Sequence, residues 1–311
     1  MMDYTDRHDR YFLRLISKNI LLYTEMITCQ ALLNGDSARL LRYDMSEHPI
    51  ALQLGGSDAN DLSVCAQMAE QAGYDEVNLN VGCPSDRVKS GKFGACLMAE
   101  PNLVADCFSA MQSKVSIPVS IKCRTGIDEQ DENQQLPLFI KTLADVGCEI
   151  FVIHARKAWL LGLSPKENRD VPPLNYLLVY EIKRTFPGLN ISINGGVQTL
   201  SAARQHLQHV DGVMIGRAAY QNPYILAHVD QAFYGSTAEP ITQQAIIHRY
   251  LPYVERQLSD GVKLTQITRH IMGLFHGLPG ARQWRRYLSE NANKPGASSQ
   301  VIKDAASFIQ D

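Results

Sequence analysis

Short apolar segments of strand length alternate with longer segments of helical periodicity along most of the chain. We predict seven strands, at 21–27, 50–54, 76–81, 118–124, 149–154, 190–194 and 211–217. Helices are predicted between them, at 58–72, 101–114, 134–146, 174–186 and 199–208. A regular alternation of this kind, with nearly continuous apolar strands, indicates an α/β fold with a parallel sheet covered by helices.

The number and even spacing of the strands favour a (β/α)8 barrel, or TIM barrel, over an open sheet. One strand of such a barrel is missing, and 1–4 looks like its remnant, so we expect the first strand to be truncated or to begin upstream. The alternation then ends, and only helices are predicted after it, at 241–258, 264–273, 282–291 and 298–309. We therefore predict a barrel domain at 1–237 and an all-helical domain at 238–311.

The composition restricts the class of protein. The 311 residues are 45% hydrophobic and carry a formal net charge of -2, which suits a large core and argues against a general polyanion binder. The 7 cysteines form no C-x-x-C pair, so we expect reduced thiols and neither a disulfide framework nor a metal site. We expect no signal peptide and no membrane span, and hence a cytoplasmic protein, which we take to be a monomer.

One cysteine lies where a predicted strand gives way to a polar loop. The alternating strand 76–81 is stopped by Gly82 and Pro84, and Cys83 lies between them. A thiol in that position suits chemistry, although a buried structural cysteine is compatible with the same spacing. The remaining cysteines are predicted to be structural, with Cys96 as the one rival thiol. The basic loop that follows is predicted at 86–94.

Polar or reactive residues end most of the predicted strands. In a parallel barrel the carboxyl ends of the strands share one face, so these residues are expected to converge in a site. They are Gln53, Asn80, Cys83, Lys122, Arg124, His154, Arg156, Asn194, Gly195, Gly196, Gly216 and Arg217.

Glycine turns end the last two predicted strands. Asn194-Gly195-Gly196 and Gly216-Arg217 follow the pattern of the phosphate site that barrels form after their last strands. Plain tight turns are the alternative interpretation. His154, at another strand end, is predicted to bind a ligand, with a core imidazole as its alternative.

Lys122 is compatible with more than one chemistry. It can form a Schiff base, as in a lyase or aldolase, or hold the anionic end of a reduced flavin whose ring hydrogen-bonds to Gln53. An ion pair in the barrel mouth is the structural alternative. Cys83 favours the flavin, because a thiol can protonate a carbon whose neighbour has just received a hydride.

The predicted helical region is locally basic although the whole chain is not. Between 261 and 303, seven lysines and arginines accompany a single acid, Glu290. The segment 282–287 mixes cations with aromatic residues, which suits the phosphates and bases of a nucleic acid. A solvated helix surface is the alternative.

These motifs together resemble the tRNA-dihydrouridine synthase family over nearly the whole chain. The matching elements are Val81-Gly82-Cys83-Pro84-Ser85, Phe93-Gly94-Ala95-Cys96-Leu97, Lys122-Cys123-Arg124, Ile153-His154-Ala155-Arg156, Asn194-Gly195-Gly196 and Gly216-Arg217. The segments 3–8 and 164–169 further resemble the DusA subfamily, which acts on positions 20 and 20a of the D-loop.

The resemblance implies the reduction of uridine to 5,6-dihydrouridine in tRNA. It implies FMN at the barrel mouth, NADPH as the reductant, hydride transfer to C6, and proton transfer from Cys83 to C5 of a flipped-out uridine. The FMN contacts that it implies are Met1, Met2, Gln53, Lys122, His154, Asn194, Gly195, Gly196, Gly216 and Arg217. The tRNA contacts that it implies are Asn80, Lys166, Arg169, Arg282 and Arg285, with the helical domain gripping the tRNA backbone.

The amino terminus departs from the family pattern. The family opens with Ala-Pro-Met, whereas this chain starts at the Met-Met that follows the proline, so we expect weaker flavin binding or lower stability. Two rival functions stay open. One is an FMN barrel acting on free pyrimidines such as dihydroorotate, against which the basic helical domain and Lys166 with Arg169 argue. The other is an RNA-binding protein that has lost turnover.

Overall fold

A parallel sheet in sequential order forms the centre of the fold. The structure is a computed structural model that describes residues 1–85 and 91–310. Its strands β1 to β7 are Leu22–Thr28, Ile50–Gly55, Glu76–Asn80, Val119–Arg124, Ile150–His154, Asn190–Asn194 and Gly212–Met214. Each strand neighbours the next along the chain, and the pairings from β2 to β7 are parallel. This is the arrangement of a TIM barrel, so the predicted fold class is confirmed.

The helices between the strands begin at identifiable signals. They are Ala59–Gln71, Pro101–Gln112, Glu132–Ala144, Tyr176–Thr185 and Leu200–His206. The side chains of Asp58, Asp131, Asn175 and Thr199 accept hydrogen bonds from backbone N–H groups of the first turns. Pro101 occupies the first turn of its helix, where its missing N–H costs nothing. The predicted helices therefore form at the expected places, with ends displaced by at most two residues.

The amino-terminal residues form a helix that the sequence pattern does not predict. Residues before Leu22 contain no strand, and Arg7–Ile16 is helical. Asp6 caps this helix by accepting from the N–H groups of His8 and Asp9. Its buried side chains include Asp9 and charged arginines as well as Phe12, so its apolar periodicity is masked in the sequence.

In the described residues, the carboxyl-terminal part consists of helices joined by turns and contains no strand. Its helices after residue 240 are Gln243–Ser259, Leu264–Thr268, Ala281–Asn291 and Gln300–Ala306. The helix predicted at 264–273 is wrong in its second half, because it ends at Thr268 and continues as turns. The buried Trp284 packs edge-on against Phe275, with ring centroids 4.9 Å apart, and supplies much of the local core.

The chain forms two compact units. The strand unit comprises Tyr23–Arg42 and His48–Gly216, and the helical unit comprises Met1–Leu22, Tyr43–Glu47 and Arg217–Asp311. The proposed domain division at 237/238 stays a prediction. Part of the basic loop predicted at 86–94 lies outside the described residues. In the part of the chain that the structure covers, no helix combines the length and hydropathy needed to cross a bilayer.

Replacing Trp284 by alanine is expected to lower the free energy of unfolding by about 3–5 kcal/mol, because the indole is fully buried. Urea unfolding followed by circular dichroism measures this change. Arg282→Ala, on the exposed side of the same helix, is the matched control and should change stability by less than about 0.5 kcal/mol. Equal losses in the two variants would contradict the assigned core.

Candidate active site

The parallel register brings predicted site residues to the same edge of the sheet. Asn80 on β3 is the register partner of Lys122 on β4. His154 on β5 is the partner of Arg124 on one side and of Asn194 on the other. The carboxyl ends of β3 to β6 therefore meet, as expected for the functional face of a barrel.

A chain of hydrogen-bonded amides runs across the strands below this edge. The side-chain N–H of Asn80 donates to Oε1 of Gln53 (2.7 Å), and that of Gln53 donates to Oδ1 of Asn78 (2.9 Å). Asn78 in turn donates to the hydroxyl of Ser120 (2.7 Å). All four residues are buried, so each bond replaces a lost contact with water.

The chain ends at a buried carboxylate. The hydroxyls of Ser120 and Tyr23 both donate to Oε1 of Glu76, at 2.5 and 2.7 Å. Burial raises the pKa of Glu76, and these two hydrogen bonds oppose the shift. Burial and the neighbouring Glu76 raise the pKa of Tyr23 well above its usual value, so this hydroxyl stays a donor.

The turn that carries Cys83 is held from both sides. Oδ1 of Asn80 accepts from the N–H groups of Gly82 (3.1 Å) and Cys83 (2.9 Å). Nε of Arg124 donates to the carbonyl of Gly82 (2.8 Å), and the N–H of Ala95 donates to the carbonyl of Cys83 (2.9 Å). The backbone on either side of the thiol is therefore fixed.

Exposure separates Cys83 and Cys96 from the other cysteines of the described chain. These two are half-buried, whereas the others are buried. The Cys96 thiol donates to the carbonyl of Phe93 (3.1 Å), and burial raises its pKa. Among the described residues, the Cys83 sulfur makes only a weak contact with the Ser85 hydroxyl (3.6 Å). Of the two thiols, Cys83 is the better placed to react.

Lys122 is a half-buried ammonium at the end of β4. It has no hydrogen bond or ion pair with any residue that the structure describes, so the structural alternative of an ion pair finds no support there. Burial, and then the charge of Arg124, lower its pKa to about 8. A buried ammonium favours an anionic ligand, because the negative charge of the ligand would compensate for the ammonium's loss of hydration.

The Gly195-Gly196 turn requires glycine for two reasons. Both residues have positive φ, +110° and +72°. A Cβ at Gly195 would lie 3.3 Å from Nε2 of His154, and one at Gly196 would lie 2.7 Å from the Tyr176 hydroxyl. That hydroxyl donates to the carbonyl of Gly195 (2.8 Å) and so orients the turn. Tyr176 carried no signal in the sequence, because its partner lies on another element.

The remaining predicted cofactor contacts are distributed over both units. Asn194 donates from its side chain to the carbonyl of Met214 (2.7 Å) and joins the ends of β6 and β7. Gly216 is the last residue of the strand unit. Met1, Met2 and Arg217 belong to the helical unit, and their part in the site stays a prediction.

A structured loop after β5 presents the cations predicted to contact RNA. Lys166 is exposed and Arg169 is half-buried, and both flank the fully buried Asn168. The Asn168 side chain accepts from the N–H of Trp159 (2.7 Å) and donates to the carbonyl of the same residue (2.8 Å). Asn168 therefore closes the loop on itself, a role for which the sequence offered no signal.

The helical unit presents a second basic surface. Arg282 and Arg285 are both exposed on the helix Ala281–Asn291. Arg285 lines a groove of about 310 Å³, and Nη2 of Arg269, in the same groove, is held by Oδ2 of Asp6 at 2.8 Å. Cations and aromatic rings in a groove of this size are typical of surfaces that bind phosphates and bases. The residues that line the groove are Tyr220, Gln221, Arg269, Met272, Gly273, His276 and Arg285.

Comparison with known proteins gives consistent relatives. A family model described as "Dihydrouridine synthase (Dus)" matches residues 1–310. A tRNA-dihydrouridine(20/20a) synthase from Shewanella oneidensis is 60% identical over 310 residues, covering 100% of this chain and 92% of that protein. Proteins with the same name from Vibrio cholerae and Escherichia coli (strain K12) are 58% and 59% identical; they cover 99% and 100% of this chain, and the matches span 94% and 90% of those proteins.

One solved structure, titled "X-structure of a variant of NCR from zymomonas mobilis", has a TM-score of 0.49 and 15% identity, covering 78% of this chain and 85% of its own. That similarity is too weak to support an inference. The match of the family model over the whole described chain and the identity to full-length relatives agree with the motifs at the strand ends. The chain belongs to the dihydrouridine synthase family.

Proposed function

We propose that this protein reduces uridine to 5,6-dihydrouridine in the D-loop of tRNA, at positions 20 and 20a, with Cys83 as the proton donor. The observation that carries the proposal is the juxtaposition at one sheet edge of a half-buried thiol and a lysine that has no partner among the described residues. Val81, two residues before the thiol, donates its N–H to the Lys122 carbonyl at 2.8 Å. The names of the relatives support the substrate, and a soluble RNA substrate supports a cytoplasmic location.

The residues at the strand ends fit a flavin mononucleotide. Lys122 would face the anionic pyrimidine end of the ring, where its unpaired charge finds a partner. Gln53 uses one lone pair and one N–H within the amide chain, so one of each remains for the ring. The turn of Asn194, Gly195 and Gly196 suits the phosphate of FMN. It packs against His154, and its two glycines have no side chain that would block the approach of the phosphate. When bound and reduced by NADPH, FMN supplies the hydride for C6 of the uridine.

Cys83 completes the reduction by acid catalysis. Its S–H bond breaks as a C–H bond forms at C5, and the resulting thiolate is later reprotonated by solvent. Burial lowers the pKa of Arg124 to about 10, and negative charge at Cys83 opposes that shift. The same charge also opposes the lowering of the Lys122 pKa. The positive charges of Lys122 and Arg124 would therefore stabilise the negative charge that the sulfur acquires.

The tRNA would be bound by cations of both units. Lys166 and Arg169 belong to the loop after β5, and Arg282 and Arg285 to the basic surface of the helical unit. Asn80 would help to place the base through its one remaining amide N–H, since its other atoms hold Gln53 and the Cys83 turn. Free pyrimidines would need neither basic surface. The monomeric state stays a prediction.

Replacing Cys83 by alanine should leave FMN absorbance and tRNA binding unchanged and slow dihydrouridine formation by roughly 100- to 10,000-fold, since only the acid is lost. Mass spectrometry of the D-loop measures the product. Cys96→Ala is the matched control and should keep full activity. Full turnover by the Cys83 variant would exclude the acid role.

FMN affinity should fall as the pH rises through about 8, because the lysine whose pKa is lowered to about 8 loses its proton there. Fluorescence titration between pH 7 and 9.5 should show a weakening on the order of tenfold. Lys122→Met should bind FMN weakly with no such pH dependence, whereas Lys141→Met, at an exposed ion pair, should behave like the wild type. An unchanged pH slope in Lys122→Met would refute the contact.

Replacing both Arg282 and Arg285 by alanine should weaken tRNA binding and reduce the slope of log K against log salt by about two, one for each lost phosphate contact. Filter binding at several salt concentrations measures the slope. Arg286→Ala, on the same helix, is the control, because its charge is already paired with Glu290 at 2.7 Å. If the control alters the slope as much as the double variant, the RNA surface lies elsewhere.

A further inference from the structure

Arg124 is a buried cation whose described hydrogen bonds all go to backbone carbonyls. Only 4% of the residue is exposed. Nε donates to Gly82 (2.8 Å), and Nη1 donates to Asn168 (3.0 Å) and Lys157 (3.2 Å). Among the residues that the structure describes, no carboxylate pairs with it. Burying an arginine without a counter-charge costs free energy. That cost suggests a function for the contacts that Arg124 makes with these three carbonyls.

One end of this guanidinium holds the peptide group next to the thiol. The Gly82 carbonyl, bound by Arg124, and the Cys83 N–H, bound by Asn80 at 2.9 Å, belong to the same planar peptide. Rotating that plane would break both hydrogen bonds. The direction in which the Cys83 side chain leaves the backbone is therefore set jointly by Arg124 and Asn80.

The other end of the guanidinium holds the loop after β5. Asn168, whose carbonyl it binds, lies between Lys166 and Arg169 in the turn Glu167–Arg169. That turn is closed by the Asn168 side chain, so a displacement of the cations moves the carbonyl that Arg124 holds. A single planar side chain thus spans the thiol turn and the loop that presents the cations.

We propose that Arg124 is a positioning residue that couples this loop to the proton donor. The proposal rests on the proposed function: tRNA seated on Lys166 and Arg169 holds the loop, and through Arg124 the loop holds Cys83 in line with C5 of the target uridine. Lysine cannot replace Arg124, because a single ammonium lacks the fork that reaches carbonyls on both sides.

The two half-reactions test the proposal on the FMN-loaded enzyme. Stopped-flow absorbance follows flavin reduction by NADPH, and then its reoxidation by an unmodified tRNA transcript at saturating concentration. Arg124→Met and Arg124→Lys should slow reoxidation by on the order of a hundredfold and change flavin reduction less than about twofold, since NADPH oxidation needs no thiol. Arg184→Met, on an exposed helix of the same unit, should match the wild type in both steps.

Several outcomes would overturn the proposal. Equal slowing of both half-reactions with loss of FMN would indicate a merely structural role for Arg124. Full activity of Arg124→Lys would show that the two-sided contact of the guanidinium is not required. If the Arg124 variants do not fold, Asn168→Ala, which opens only the loop, must slow reoxidation by itself, or the coupling is refuted. A wild type whose reduced flavin is not reoxidised by tRNA would instead refute the proposed function.

The coupling has its own test in a double-mutant cycle. At saturating tRNA, Lys166→Ala should slow reoxidation in the wild-type background and have no further effect in Arg124→Met, since the connection is already cut. Independent, multiplying effects of the two substitutions would show that loop and thiol act separately.

Discussion

The site depends on a hydrogen-bonded chain that runs in one direction across the strands. The Ser120 hydroxyl donates to Glu76 and accepts from the side-chain N–H of Asn78. The same logic then orients the amides of Gln53 and Asn80. Reversing any amide would place like groups against each other in a buried environment, at a cost of one or more unmade hydrogen bonds. The chain thereby connects the backbone N–H of Cys83, through Asn80, to Glu76 inside the sheet.

Two neighbouring cations of β4 have different roles. Arg124 is satisfied by backbone carbonyls and stabilises the loops around the thiol. Lys122, two residues earlier, has no partner among the described residues, and we propose that it binds a ligand. Because burial lowers the pKa of both side chains, a second cation without a partner would add to the cost of burying charge at this edge of the sheet. Arg124 does not add this cost, because its guanidinium donates hydrogen bonds to neutral backbone carbonyls.

The helical unit is organised by a different principle, in which buried charges pair with one another. Arg10 and Glu47 form an ion pair at 2.7 Å with both side chains nearly inaccessible to water. Asp6 binds both Arg269 and His270, and despite burial the hydrogen bond and charge of His270 lower the pKa of Asp6. The pair with Asp6 holds Arg269 in the basic groove, and Arg282 and Arg285 are exposed on the helix Ala281–Asn291.

The alternation of strands and helices, and the residues that end each strand, were predictable from the sequence because both follow from local periodicity and turn chemistry. Cys83, Lys122 and the Gly195-Gly196 turn were singled out as candidates in this way. The helix Arg7–Ile16 was missed because its buried charges find partners such as Glu47 far along the chain. The hydrogen-bond partners of Arg124, Asn168 and Tyr176 emerge only in the folded chain, since a backbone carbonyl that accepts a hydrogen bond leaves no trace in the order of side chains.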